Sequence, residues 1–319
     1  MLRVLDEHAV RQLLPMDECI DAMADALSSL ARGEVANPLR SMTQPAGEDS
    51  LMVLMPVHRG GERRLWGLKT LAIFPSNAAR GIDLHQGFVA LFDGETGELR
   101  ALLNAGAITA VRTAAVSAVA TRALARRDAQ VVALLGAGVQ AKAHVEAMRA
   151  VLPGSRVVGW SRTPGRVAAE LDGVEELASA EEAVRDADVL VTATSASEPV
   201  VAREWLHDGV HINAVGSAFP NARELDTATV RDSAFFTDSR VSVLAEAGDF
   251  LIPLGEGAIA EDHIRAELGE VLIGTAEGRR DADEITVFES LGLAVEDLVA
   301  AEHVLTRAEA ENVGTLVSL

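Results

Sequence analysis

Residues 131–144 read VVALLGAGVQAKAH, and few folds can hold such a run. Five apolar residues of strand length enter a turn at Gly136-Ala137-Gly138 and leave as Val139-Gln140-Ala141, with helix formers beyond. A buried strand, a glycine turn and a helix N-terminus in that order form the phosphate-binding element of a dinucleotide site. Gly136 permits the tight turn. Gly138 lets backbone approach a pyrophosphate. Ala141 lets helix and strand pack closely, and the helix N-terminus faces the anion.

The rest of this half fits that element. Apolar runs RVVGWS, VLVTAT, HINAVGS, AFFTD and ITVFESLG alternate with helical patterns such as GRVAAEL and AEEAVRD. Alternation of this kind builds a parallel sheet covered by helices on both faces. The second strand ends Trp160-Ser161-Arg162-Thr163, with Arg166 close by and no carboxylate before Glu170. A ribose with a free 2′-hydroxyl calls for an acid at that strand end; hydroxyl and guanidinium groups suit a 2′-phosphate. NADP(H) is therefore expected over NAD(H), unless Arg162 is only a solvated loop charge. The nicotinamide half should lie over Thr194-Ser195 and Asn213-Ala214-Val215, where the Thr194 and Ser195 hydroxyls serve equally well as helix caps.

The first hundred residues differ. One helical pattern, residues 16–31, precedes short strands LMVLMPV, LWGLKTLAIF, GFVALFD and LRALLNA, the last two flanking the turn DGETG. This reads as a mostly antiparallel sheet with one helix. The alanine-rich ITAVRTAAVSAVATRALARR then leads into the dinucleotide-binding half. At 319 residues, two domains are expected.

A net charge of −20 disfavours nucleic acid as partner. The single cysteine, Cys19, permits no internal disulfide and suits a reducing, cytoplasmic compartment; its amphipathic surroundings suggest packing. No signal peptide, membrane-span run, metal-type clustering of His, Cys and acids, or Gly-x-Ser-x-Gly elbow is evident, so no metal is expected.

Of the 28 basic side chains only Lys69 and Lys142 are lysines. Lys69 lies in an apolar strand, so its ammonium either reaches out of the sheet or meets an anion. Arg112 follows Ile108 by one helical turn. A cation in a first turn opposes the helix dipole unless an anion joins it, the alternative being a carboxylate partner. With Arg40, these cations could clamp a carboxylate. His85 is a candidate proton donor or a structural histidine. Met52, Leu54, Met55 and Phe74 are the expected apolar wall.

The chain resembles the ornithine cyclodeaminase/mu-crystallin family over essentially its whole length. The matching stretches are WGLKT (66–70), HQGFVALFD (85–93), ITAVRTAAVSAVAT (108–121), GAGVQA (136–141), INAVGS (212–217), RELD (223–226), EAGDFLIPL (246–254) and ITVFESLGLAVEDL (285–298). The resemblance implies an α/β fold: a Rossmann-type doubly wound domain, 114–297, plus an α+β substrate-binding and dimerisation domain, 1–113 with 298–319. It implies a homodimer, a substrate carboxylate held by Arg40, Lys69 and Arg112, and nucleotide contacts at Val139, Gln140, Ser161, Thr194, the 212–215 turn and Ser290. Cyclodeaminases proper carry an acid where this chain has Ala218, which moves no proton. The run VGSAFPNARELD looks more like the reductase branch, acting on imines of 2-oxo acids such as 1-pyrroline-2-carboxylate, 1-piperideine-2-carboxylate, iminosuccinate or a pyruvate-derived imine. Ammonia loss of the ornithine cyclodeaminase type, alanine-dehydrogenase-like chemistry and a non-catalytic crystallin-like binder are the rivals.

Overall fold

The computed structural model describes residues 1–318, with only the backbone of Ala78 and Ala79. The chain divides into two units: Met1–Arg112 with Leu293–Leu319, and Thr113–Gly292.

The first unit is built on an eight-stranded sheet. From one edge its strands are Thr315–Val317, Leu2–Leu5, Leu99–Asn104, His85–Asp93, Leu65–Ile73, Leu51–Arg59 and Val35–Ala36; Ser41–Thr43 also pairs with Leu51–Arg59. Pairing is antiparallel except where Leu2–Leu5 runs parallel to Leu99–Asn104. The period-two rule sorts the side chains. In Leu65–Ile73, Gly67, Lys69 and Leu71 turn into the core, while Trp66 faces out. Helix Ala294–Glu311 covers the buried face, packed beside helix Met16–Ala31. Its first turn carries Glu296 and Asp297, and its start is held by Asn37 Oδ1, which accepts from Val295 N at 2.9 Å. The crossing into this unit thus falls before Leu293, earlier than the sequence suggests, because both acids pair with cations of the first unit.

The second unit holds an eight-stranded, all-parallel sheet. Its order is Glu175–Glu176, Arg156–Trp160, Val131–Leu135, Val189–Thr192, His211–Ala214, Thr286–Glu289, Ala234–Thr237 and Ile264–Glu267. The order reverses between Val131–Leu135 and Val189–Thr192, which makes the doubly wound switch point where ligands bind such sheets.

Helix Ala105–Leu124 carries the chain from one unit to the next. Among the described residues it alone is long and apolar enough to cross a membrane, and 83% of its apolar window is buried within the protein, as in a core helix. It starts earlier than the sequence suggests, because Asn104 Oδ1 accepts from Ala107 N at 2.8 Å and caps it. Arg112 therefore lies well inside the helix, and the expected opposition to the helix dipole does not arise.

Candidate active site

The glycine turn takes the shape the anion argument requires. Gly136 has φ +120°, and a Cβ there would sit 2.4 Å from Ala193 O, so only glycine fits. At Gly138 an added Cβ meets nothing within 4 Å; the space in front of that backbone is open. Helix Val139–Val151 follows with no side-chain cap, leaving its first N–H groups to a ligand. Val139 is exposed, Gln140 half-buried and Ala141 buried, as close packing needs. A pyrophosphate fits this cradle.

Around it the expected contacts separate. Ser161 Oγ donates to Thr163 O at 2.7 Å; Arg162, Thr163 and Arg166 are exposed. Thr194 donates through both its N–H (2.7 Å) and its hydroxyl (2.6 Å) to Glu224, whereas Ser195 is exposed. Asn213 turns inward and donates from Nδ2 to Thr121 Oγ1 at 3.0 Å. Ala214 is buried and Val215 half-buried, so this turn offers chiefly backbone. Ser290 Oγ is buried and has no hydrogen-bond partner among the described residues, a free donor at the end of its strand.

Sequence reasoning assigned no role to Glu224, which ties these strand ends together. Besides Thr194 it accepts from Thr192 Oγ1 (2.8 Å) and Gly216 N (2.7 Å). Further buried carboxyls lie close by. Asp249 Oδ1 accepts from Glu224 N and Leu225 N at 2.9 and 2.8 Å, and Ser217 Oγ donates to Glu289 at 2.5 Å. Burial, reinforced by repulsion from neighbouring carboxylates, pushes Asp249 up to about 7 and Glu289 well above the usual carboxylate range.

In the first unit the cations form a buried cluster. Lys69 Nζ lies 3.0 and 3.2 Å from the two oxygens of Asp297. Arg112 donates from Nε to Asp297 Oδ1 at 3.1 Å and from Nη1 to Glu296 Oε2 at 2.5 Å. No side chain of the four is more than 5% exposed. Both acids were missed from sequence, and Arg112 has carboxylate partners, though buried ones. Burial lowers Lys69 to about 8; Asp297 opposes this, while Arg112 and Arg40 add to it. Arg40 is half-buried and close enough to be felt. Cys19 also adjoins the cluster; burial pushes its thiol up to about 12, which removes it as a nucleophile at neutral pH.

Met55 pairs in register with Lys69 and shares its face, but Met52 pairs with Ala72 and, like Leu54, points to the opposite, exposed face. A spacing of three cannot put both methionines on one side of a strand. Phe74 is exposed. His85 is half-exposed, with Asp83 at 3.9 Å. Burial, with the Lys69 charge adding to it and Asp83 opposing, holds its imidazole below the usual value. Among the described residues no group of three or more His, Cys, Asp or Glu side chains is arranged to hold a metal.

A doubly wound parallel sheet with an open glycine turn at a helix N-terminus defines a dinucleotide-binding protein, and its other unit holds a buried lysine–arginine centre. The chain belongs to the ornithine cyclodeaminase/mu-crystallin family, whose model matches residues 2–312. It is 37% identical over 320 residues to a Delta(1)-pyrroline-2-carboxylate reductase of Bacillus cereus, covering 98% of each chain. It is 38% identical over 292 residues to the ketimine reductase mu-crystallin of Mus musculus, covering 89% of this chain and 90% of that one. Among solved structures, the Thermococcus litoralis Delta(1)-pyrroline-2-carboxylate reductase in complex with NADH and L-proline superposes with a TM-score of 0.94 at 35% identity, covering 99% of this chain and 100% of that one.

Proposed function

We propose that this chain is an NAD(P)H-dependent imine reductase that converts a 2-imino or cyclic ketimine carboxylate, such as 1-pyrroline-2-carboxylate, to the amino acid. The observation that carries the reading is the buried Lys69–Arg112 pair with Arg40 in electrostatic range. Lys69 has three N–H groups for one carboxylate partner, so it retains a donor for a substrate carboxylate, and Arg112 places a second buried positive charge beside it. The reductases among its relatives support the same chemistry.

A bound reduced nicotinamide supplies the hydride. The imine carbon gains that hydride, and the nitrogen keeps or gains a proton, so C=N becomes CH–NH. Arg40, Lys69 and Arg112 bind the carboxylate and fix the position of the neighbouring carbon, a proximity effect of several kcal/mol. Lys69, protonated below about pH 8, holds a proton beside that carboxylate. His85 is mostly neutral at pH 7 and is the weaker proton source. Gly138 and the helix start at Val139 would hold the pyrophosphate, and the Ser290 hydroxyl would be a further donor to the cofactor.

Exposed Arg162 and Arg166 beside Ser161 and Thr163 favour a 2′-phosphate, so NADPH is the proposed donor. Cofactor oxidation is measured with each donor against 1-pyrroline-2-carboxylate, 1-piperideine-2-carboxylate, iminosuccinate and pyruvate with ammonia. At least one imine should be reduced, with a lower Michaelis constant for NADPH. An approximately tenfold preference for NADH overturns the donor assignment. Ammonia release from ornithine without net cofactor oxidation overturns the reductase reading.

The homodimer is part of the same proposal. Met52, Leu54, Trp66 and Phe88 project from one face of three adjacent strands and are 37–50% exposed. A recess of about 340 Å³ lined by Trp66, Gly67, Phe92 and Gly97 adjoins them. Large apolar side chains exposed on one sheet face mark an interaction surface, which a second copy of the chain would cover. Sedimentation should give a dimer that Trp66→Lys weakens; a monomeric wild type contradicts this.

A further inference from the structure

We propose that Asp297 is a positioning residue: one carboxylate bonds Lys69 and Arg112 together and fixes where their N–H groups point. The inference rests on the reading of those cations as a carboxylate clamp.

Asp297 Oδ1 accepts from Lys69 Nζ at 3.0 Å and from Arg112 Nε at 3.1 Å, while Glu296 takes Nη1 at 2.5 Å. Two edges of the planar guanidinium are thereby held, which sets its plane and the direction of every N–H it carries. Two cations and two anions sum to zero, so the four groups together exert no net pull on an incoming anion. Aimed donors, together with the charge of Arg40, must do the work instead. Without the acids, two nearly buried cations would repel each other and bear an uncompensated loss of hydration.

The acids are themselves well placed. They occupy the first turn of Ala294–Glu311, where the helix dipole favours negative charge. Asn37 bonds that helix start and lies three residues before Arg40, so the loop bearing the third cation is tied to the same point. The charged groups felt at Lys69 come from several elements: Asp297 from this helix, Arg112 from Ala105–Leu124, Arg40 from its loop and His85 from the neighbouring strand, while Glu296 bonds Arg112 and Cys19 of Met16–Ala31 adjoins those two. Met55 and Val89 flank it in register, and neither titrates. Of the charged groups named for Lys69, only Asp297 raises its affinity for protons.

The test uses the full-length protein with 1-pyrroline-2-carboxylate. kcat and KM are followed from roughly pH 6 to pH 9, a range spanning the usual histidine value and the lowered value of Lys69. Asp297→Asn should lower kcat/KM about tenfold or more near neutral pH and move the alkaline limb down by about one pH unit or more. Asp297→Glu, which keeps the charge but displaces it, should restore the limb while kcat/KM stays below wild type. An Asn variant with the wild-type limb and rate overturns the proposal. So does one with a lower KM, which would make Asp297 a competitor for the clamp. If the Asn variant does not fold, the Glu variant decides: a shifted limb there is contrary. A wild type inert toward every imino acid overturns the clamp reading and this inference with it. An active wild type with a dead Lys69→Ala and an unaffected Asp297→Asn overturns this inference alone.

Discussion

Lys69→Ala is expected to lower kcat/KM for a cyclic imino acid by about a hundredfold, and by a much smaller factor for the matching imine without its carboxylate, which loses only the proton held at Lys69. A charged hydrogen bond contributes about 1.5–3 kcal/mol, and a tenfold rate change corresponds to about 1.4 kcal/mol, so losing one well-aimed donor accounts for that size. The variant also strands a buried charge. Asp297 would keep only Arg112 as cation, and breaking a buried pair costs about 3–5 kcal/mol. Thermal stability should therefore fall too, which is why the ratio between the two substrates, taken on folded enzyme, is the quantity to compare. Arg112→Ala should act in the same direction with a larger stability loss, since it removes a partner from both Glu296 and Asp297. Equal losses on both substrates would contradict a role for Lys69 in binding the carboxylate.

Glu289→Gln is expected to stabilise the second unit, and more so at alkaline pH. Glu289 and Asp249 bind protons more tightly folded than unfolded, so their contribution is complete at acid pH and falls as pH rises toward and past 7. Two buried histidines work the other way. Burial lowers His144 to about 4 and His211 to about 3, so their contribution is present above the usual histidine value and is lost as pH falls. Between about pH 4 and 6.5 the two trends oppose; from there up to the range where Lys69 titrates, about 8, the carboxyls alone still change, and above it Lys69 opposes them. Wild-type melting temperature should thus decline as pH rises from about 6.5 through 7, where Asp249 titrates. Removing one ionisable carboxyl should flatten the decline and raise the alkaline melting temperature by several degrees, about 2–4 °C for each kcal/mol in a unit of this size. A parallel decline in both proteins would show that Glu289 does not titrate in this range. Far-ultraviolet circular dichroism on heating provides the readout.

Much of this was readable from the chain because its causes are local. The glycine turn is fixed by what Gly136 and Gly138 leave open within a few residues. Lys69 stood out through the scarcity of lysine and its apolar strand. Other features depend on contacts distant in sequence. Asp297 lies 228 residues beyond Lys69, and in sequence it and Glu296 look like the ordinary acids of a helix start. Glu224 carries no local sign that four donors from two strand ends will converge on it. Strands Leu2–Leu5 and Thr315–Val317 are too short to show an alternating pattern, and pairing with neighbours makes them strands. The separation of Met52 from Met55 was available from the period of a strand alone. The start of the connecting helix was not, because Asn104 is the last residue of a strand and the helix cap at once.

The most direct test compares wild-type NADPH oxidation by 1-pyrroline-2-carboxylate with that by 1-pyrroline, which has the same ring and imine but no carboxylate. A clamp of Arg40, Lys69 and Arg112 predicts kcat/KM at least about a hundredfold higher for the carboxylate, one or two charged hydrogen bonds in size. Equal values for the two imines would contradict it.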